Sequence, residues 1–402
     1  MKSTVNQSHV RSINQRVMLD SIFNVDTISR ASLSRTIKLS KVAITENLSS
    51  LLDLGIVKEI GIGQSQTIGG RRPILLQFNK EYKYIIAIDL EYEDAIFSLA
   101  NLAGETQNKF TIQVNSASPY KVRFELVKNA ISVLLSSRNL KPTDIAIIAF
   151  SSPGILNLYD GTYQANEQFR NWRMDKLSKK LMECYETEVM IVNDVNAAAI
   201  GELSHGAGEG LDNLLYISCG LGLGAGIVLN GTLYAGGGNS AGEIANFISD
   251  APSGGFEKLE ERVKIESFIR RIHEEAPKCT LKKLSTSKDF TFKDVVALWK
   301  VGDDFIDSCL DDIAKDLGVA ISNMNSLLNV DLIILGGEYR VFSSRMLPVI
   351  NRIVEDTTFS PVSVVQSHLS YDASIFGLLT LARNKVFSQV CNQNIKGLER
   401  EV

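Results

Sequence analysis

The sequence predicts an α/β protein in two parts, a small winged helix-turn-helix over residues 1–80 and a larger α/β body from residue 81 onward. Three observations predict it. The first eighty residues carry three short helical patterns and then two strands flanking a glycine-rich tip. From residue 84 onward, short apolar strands end in tight polar or glycine-rich loops, as in an open α/β sheet that holds ligands at its strand ends. Charge divides at the same place: residues 1–80 hold 11 Lys/Arg against 5 Asp/Glu, and the remainder holds 31 against 41. A basic segment on an acidic body points to an anion-binding head, with nucleic acid as the first candidate.

In the head, Val10, Ile13, Val17 and the apolar residues from Leu19 to Phe23 recur near helical spacing, and NVDT ends the pattern. Residues 28–37 form a second short helix. Lys38, Leu39 and Ser40 form a turn in which Ser40 is the expected N-cap of a third helix, residues 41–54, ended by Gly55. Val42, Leu48, Leu51 and Leu52 are expected to face inward. Ser40, Lys41, Ala43, Ile44, Thr45 and Asn47 are expected on the exposed side, where a recognition helix meets base edges. Strands at 56–60 and 74–78 flank GIGQSQTIGGRRP, a wing whose Arg71 and Arg72 suit the phosphate backbone or a narrow minor groove.

The body opens on a meander, with strands at 84–89 and 95–99 and a turn at Ala103 and Gly104. A buried strand at 145–150 ends in SSPG, and one at 189–192 ends in Asn193 and Asp194. Residues 214–218 lead into GLGLGAGIVLNGTLYAGGGNSAGEIAN, where dense glycine lets backbone amides approach a ligand. Residues 332–335 run into Gly336 and Gly337. A helix at 373–387 is expected to return to the first lobe and link it to the head, with a loose polar tail from 391 to 402.

With 402 residues, 45% hydrophobic and 22% charged, the chain has material for more than one ordinary globular unit, which excludes fibrous and low-complexity classes. Its apolar runs are far shorter than the roughly 18 residues of a spanning helix, and MKSTVNQSHVRS holds no signal core, so a cytosolic protein without a membrane partner is expected. Five cysteines without a CxxC suggest reduced, mostly buried thiols rather than a disulfide framework.

LSRTIKLSKVAITENLSSLLDLGIVKEIG followed by GGRRP, together with VNDVNAAAIGE and GNSAGEIAN, resembles the repressor branch of the ROK family (repressors, open reading frames and sugar kinases) over residues 8–384. The resemblance implies a two-lobed, actin-like (ribonuclease H-like) sugar kinase body. One lobe would comprise 81–194 with 373–402 and the other 195–372. It also implies that Asp194 stands where the kinases keep the base for the attacking sugar hydroxyl, and that Asn166, Asn193, Glu243, Asn246 and Glu260, with Asp194, read the sugar.

Two family features depart from pattern. The kinase DxGGT reads Asp89, Leu90, Glu91, Tyr92, Glu93, which turns new carboxylates toward any polyphosphate. A like-charge pair at ~4 Å and an effective dielectric of ~20 costs about 4 kcal/mol before relaxation. The four zinc-ligand positions hold Asn246, Ala251, Ser253 and Lys258, so neither a metal nor a cofactor is expected.

The expected function is a DNA-binding regulator of carbohydrate genes, a repressor, whose body senses a sugar or sugar phosphate without phosphorylating it. It would act as a homodimer on a paired duplex operator. Two alternatives stand beside it: an active sugar kinase with an added DNA-binding domain, and a regulator whose cleft serves a protein partner.

Overall fold

The computed structural model describes residues 7–62, 73–91, 94–115, 118–156, 163–164, 169, 171–250, 254–275 and 290–398. Arg71, Arg72, Asn166, Ala251 and Ser253 lie outside the described residues.

The head is built from α1 (Gln7–Phe23), β1 (Ile28–Ser29), α2 (Arg30–Ile37), α3 (Lys41–Asp53), β2 (Val57–Ile62) and β3 (Ile74–Phe78). Its three strands pair antiparallel in the order β1-β3-β2. Ser40 caps α3 as its sequence suggests, its Oγ accepting the Ala43 N–H at 3.2 Å. Two expectations are corrected. Ile28 and Ser29, read as the start of a helix, form a strand against Leu75 and Leu76, and Ser29 caps α2 by accepting the Ser32 N–H at 3.1 Å. The facing of α3 is also different. Ile44 and Asn47, expected outside, are buried with Leu48 and Leu51, whereas Val42, expected inside, is 67% exposed. Positions 42 and 44 lie about 200° apart around a helix, so both apolar residues cannot share one face.

The body holds two five-stranded sheets of the same plan. The first comprises β4 (Tyr84–Leu90), β5 (Asp94–Asn101), β6 (Thr106–Gln113), β7 (Ile145–Ser152) and, after the short ribbon β8 (Ile155–Leu156) and β9 (Tyr163–Gln164), β10 (Glu188–Asn193). Helices α4 (Tyr120–Ser136) and α5 (Met174–Tyr185) share its core, and α6 (Asp194–His205) follows β10 directly. The order is β10-β7-β4-β5-β6, with the first three strands parallel and the meander antiparallel.

The second sheet comprises β11 (Leu214–Cys219), β12 (Leu223–Leu229), β13 (Thr232–Leu233), then β16 (Leu332–Gly336) and β17 (Val364–Gln366), in the order β13-β12-β11-β16-β17. Again the meander is antiparallel and the later strands add in parallel. Between them come the ribbon β14 (Ile248–Asp250) and β15 (Phe256–Lys258), α7 (Leu259–Val263), α8 (Ile265–Glu274), α9 (Phe292–Lys300) and α10 (Asp304–Leu328). The long α10, with α11 (Ser343–Thr357), covers this sheet through Leu310, Ile313, Leu317, Met346 and Ile350.

The last helix, α12 (Ala373–Leu398), packs on α6, on the first sheet and on the head. The chain end is helical to Leu398, not loose from 391 as its polarity suggested. Ile375, Leu378, Leu379 and Ala382 pack in one core with Ile85, Ala87, Ile147 and Ala149 of the first sheet. Farther along, Phe387 meets Phe23 at 5.7 Å and Phe78 at 5.5 Å, both from the head. Arg16 reinforces this junction, donating to Asn384 O at 2.9 Å and Ser388 Oγ at 3.0 Å. Met18, Leu19, Ile22, Leu33, Ile44 and Leu48 of the head belong to the same apolar cluster, so head and first lobe share a core.

Glu202 fastens the outer end of α6. It is fully buried, Oε2 accepting the Ala207 N–H at 2.8 Å and Oε1 accepting the Leu369 N–H at 3.0 Å and the Ser367 hydroxyl. Glu202→Ala strands these donors and is expected to cost about 2–3 kcal/mol in urea denaturation, with Glu202→Gln costing less.

Candidate functional site

The C-terminal ends of the parallel strands in the first sheet place Asp89 on β4, Ser151 and Ser152 on β7, and Asn193 on β10 at one edge. Asp89 is 4% exposed, and its two oxygens accept from the hydroxyls of Ser151 and of Ser374, the second residue of α12. Burial raises its pKa, and the two hydroxyls oppose that rise.

Asn193, not Asp194, caps α6. Its Oδ1 accepts the Asn196 N–H at 3.1 Å and its Nδ2 donates to Gly154 O at 3.2 Å, which engages the amide at both ends. Asp194 is therefore the first residue of the helix, half-buried, with its carboxyl free of the capping duty that Asn193 performs. Burial, then the like charge of Asp89, pushes that carboxyl up to about 7. Glu91, just past β4, donates its N–H to Asp94 O at 2.9 Å, and its carboxyl is also pushed up to about 7, by burial and then by Asp89 and Asp94.

The folded chain keeps a proton on Asp194 that the unfolded chain releases near pH 4, so this contribution to stability is full below about pH 4 and is lost as pH rises through 7. Asp194→Asn removes this contribution and leaves that of Glu91. At pH 8 the variant is expected to be about 2 kcal/mol more stable than the parent, allowing for partial solvent exposure, and the gap narrows toward pH 5. Urea denaturation at both pH values measures it, and a gap that stays constant contradicts the assignment.

The glycine loop between β11 and β12 faces this group from the second lobe. The residue that meets it was not singled out from the sequence: Glu338, directly after Gly336 and Gly337. The Leu221 N–H donates to Glu338 Oε2 at 3.1 Å. A Cβ placed on Gly220 would fall 1.8 Å from the same oxygen, so the carboxylate lies flush against the loop. A side-chain anion thus occupies the amide that a glycine loop offers to a phosphate. Gly337 makes the approach possible, with φ +75 and no room for a Cβ beside Cys219 O at 2.5 Å.

Glu243 and Glu260 form a second acidic pair on the other side of that loop. Burial raises the Glu243 pKa and Glu260 adds to it, while a Cβ on Gly222 would lie 3.6 Å from Glu260 Oε1. Asn246 accepts from Lys258 Nζ at 2.8 Å. These two residues hold two of the four positions that the family resemblance gives to zinc ligands. An ammonium bonded to the amide there does not fit a metal ion, and no cluster of potential metal ligands occurs among the described residues. Among the described residues, no helix is long and apolar enough to cross a membrane.

A family model described as ROK family matches residues 85–385. The chain belongs to the ROK family. It is 26% identical over 362 residues to the xylose repressor of Caldicellulosiruptor bescii, covering 88% of this chain and 90% of that protein. It is 30% identical over 267 residues to a glucokinase of Halalkalibacterium halodurans, covering 63% of this chain and 80% of the enzyme. The fold matches the crystal structure of a ROK family transcriptional regulator, a homologue of the Escherichia coli Mlc protein, with a TM-score of 0.78 and 21% identity over 95% of this chain and 98% of that one. Named repressors and kinases thus both resemble this ROK chain, and the regulators cover nearly all of it.

Proposed function

We propose that this ROK chain is a sugar-responsive transcriptional repressor: residues 1–80 bind an operator as a winged helix-turn-helix, and the cleft binds a sugar or sugar phosphate without phosphorylating it. The observation that carries the reading is mechanical continuity. Asp194 opens α6, α6 crosses α12 at Gly201 and Gly377, and α12 delivers Phe387 into the head. A ligand with different affinity for two arrangements of the lobes then biases the head through one rigid element. Relatives named as repressors support it, as does the basic head.

Loss of kinase activity rests on Glu338 and Glu91. The first fills the amide site of the glycine loop, and the second places a carboxylate where the kinases keep glycine. One observation favours the kinase alternative: Asp194, with a carboxyl near 7, is suited to take a proton from an alcohol. Incubation with ATP and a panel of hexoses and pentoses separates the two. The repressor reading predicts no turnover, and turnover at ordinary kinase rates would overturn it. Duplex binding by the full chain is expected to weaken steeply as salt rises, and the joint change of Arg71 and Arg72 to alanine weakens it across sequences and flattens that slope. Binding that is indifferent to salt contradicts the DNA-binding head.

A further inference from the structure

We propose that Val42, Thr45 and Glu46 are the base-reading residues of this head. In this arrangement Val42 and the Thr45 methyl pack against thymine 5-methyl groups in the major groove, and Glu46 accepts a hydrogen bond from a cytosine amino group. This inference rests on the repressor reading and names the operator chemistry it requires.

The facing of α3 selects these side chains. Ile44, Asn47, Leu48 and Leu51 point into the head, which leaves Lys41, Val42, Thr45, Glu46 and Ser49 exposed. The polar groups that first suggest base contacts are already engaged. Ser40 Oγ holds the Ala43 N–H, and buried Asn47 donates Nδ2 to Ala43 O at 2.7 Å. Ser49 lies two turns along the helix and donates to Asp53 Oδ2 at 3.4 Å. Thr45 Oγ1 donates back to Lys41 O at 3.0 Å, so its polar end is turned to the helix and its methyl is the group left for a partner.

Val42 is then the decisive residue. A β-branched apolar side chain stands 67% exposed on the first turn of α3, between exposed Lys41 and Thr45. Among the described residues nothing covers it, and a thymine methyl is the apolar group that a major groove offers. The exposed stripe of α3 contains no Arg, Asn or Gln, the side chains that grip guanine or adenine with paired hydrogen bonds. Glu46 is an acceptor without a donor, which matches the cytosine amino group and penalises bases that present acceptors there. Lys41 adds positive charge at the helix N-terminus, where the phosphate backbone passes.

The test uses the full chain and a duplex selected by it from a randomised pool, with each thymine replaced in turn by deoxyuridine, which deletes only the methyl. At one or two thymines per half-site, uracil is expected to weaken the parent by about threefold to tenfold, while Val42→Ala and Thr45→Ser each lose that sensitivity at the thymine their side chain meets. Glu46→Gln is expected to lose about tenfold or more of the preference for cytosine at one position. Specific binding that tolerates uracil everywhere, or that keeps its uracil sensitivity in both Val42→Ala and Thr45→Ser, overturns this inference and leaves the repressor reading standing. Failure to select any duplex above nonspecific binding overturns both.

Discussion

Gly377→Leu is expected to lower stability by about 3 kcal/mol or more and to abolish any effect of sugar on DNA binding. A Cβ at Gly377 would lie 1.7 Å from Ala197 O, and one at Gly201 would lie 1.9 Å from Ala373 O. Both obstacles are backbone carbonyls, which no rotamer change can clear, so α6 and α12 would have to separate. Overpacking of this kind costs about 1–3 kcal/mol where side chains can yield, and more where they cannot. Separation also displaces both ends of the path. Ser374 holds Asp89 at the cleft end, and Phe387 holds the head at the other. Thermal unfolding measures the first effect, with a fall in Tm of roughly 5 °C or more. Gly377→Ala is the milder comparison and should fall between the parent and the leucine variant. A leucine variant as stable as the parent contradicts the close crossing.

Phe387→Ala is expected to cost about 3–5 kcal/mol and to divide the molecule's behaviour. Phe387 is 1% exposed and meets two rings of the head, which also pack on each other at 5.2 Å. Arg383 stands over the Phe23 ring at 4.4 Å, so the ring that loses Phe387 also carries a guanidinium. The cavity opens at the junction, so the head should melt at a lower temperature than the body and operator affinity should fall sharply. Ligand-induced thermal stabilisation of the body should remain, because the cleft side chains lie at the other end of α12. A variant that keeps full operator affinity and a single transition contradicts a shared core.

Much of this arrangement was legible in the residues, and the misreadings have physical causes. Strands such as β4 and β7 announce themselves as apolar runs that end at polar turns. Ser40 announces itself as a cap before an apolar pattern. The facing of α3 was misread because Val42 and Ile44 are both apolar and only contacts with α1 decide between them. Ile28 and Ser29 join a sheet through Leu75 and Leu76, a pairing set by residues nearly fifty positions away. Adjacent Asn193 and Asp194 are equally good caps by type, and only the Gly154 carbonyl that engages the Asn193 amide shows which one turns to the helix. Glu338 was invisible as a site residue because Gly336 and Gly337 read as a simple turn. Its role depends on β11 and β16 lying side by side, which brings the carboxylate to Leu221. The polar chain end reads as loose, yet Asn392 accepts from Ser12 Oγ at 2.7 Å across the head junction.

Under this proposal, transmission runs from an acidic cleft, where Glu338 takes the Leu221 amide of the glycine loop, to the basic head. It is tested most directly by measuring the affinity of the full chain for its selected duplex against a panel of free and phosphorylated sugars, with ATP as a separate addition. At least one sugar is expected to change that affinity by about fivefold or more, with no change on adding ATP and no consumption of it. Affinity unmoved by every sugar, or a sugar effect that appears only as ATP is hydrolysed, would contradict it.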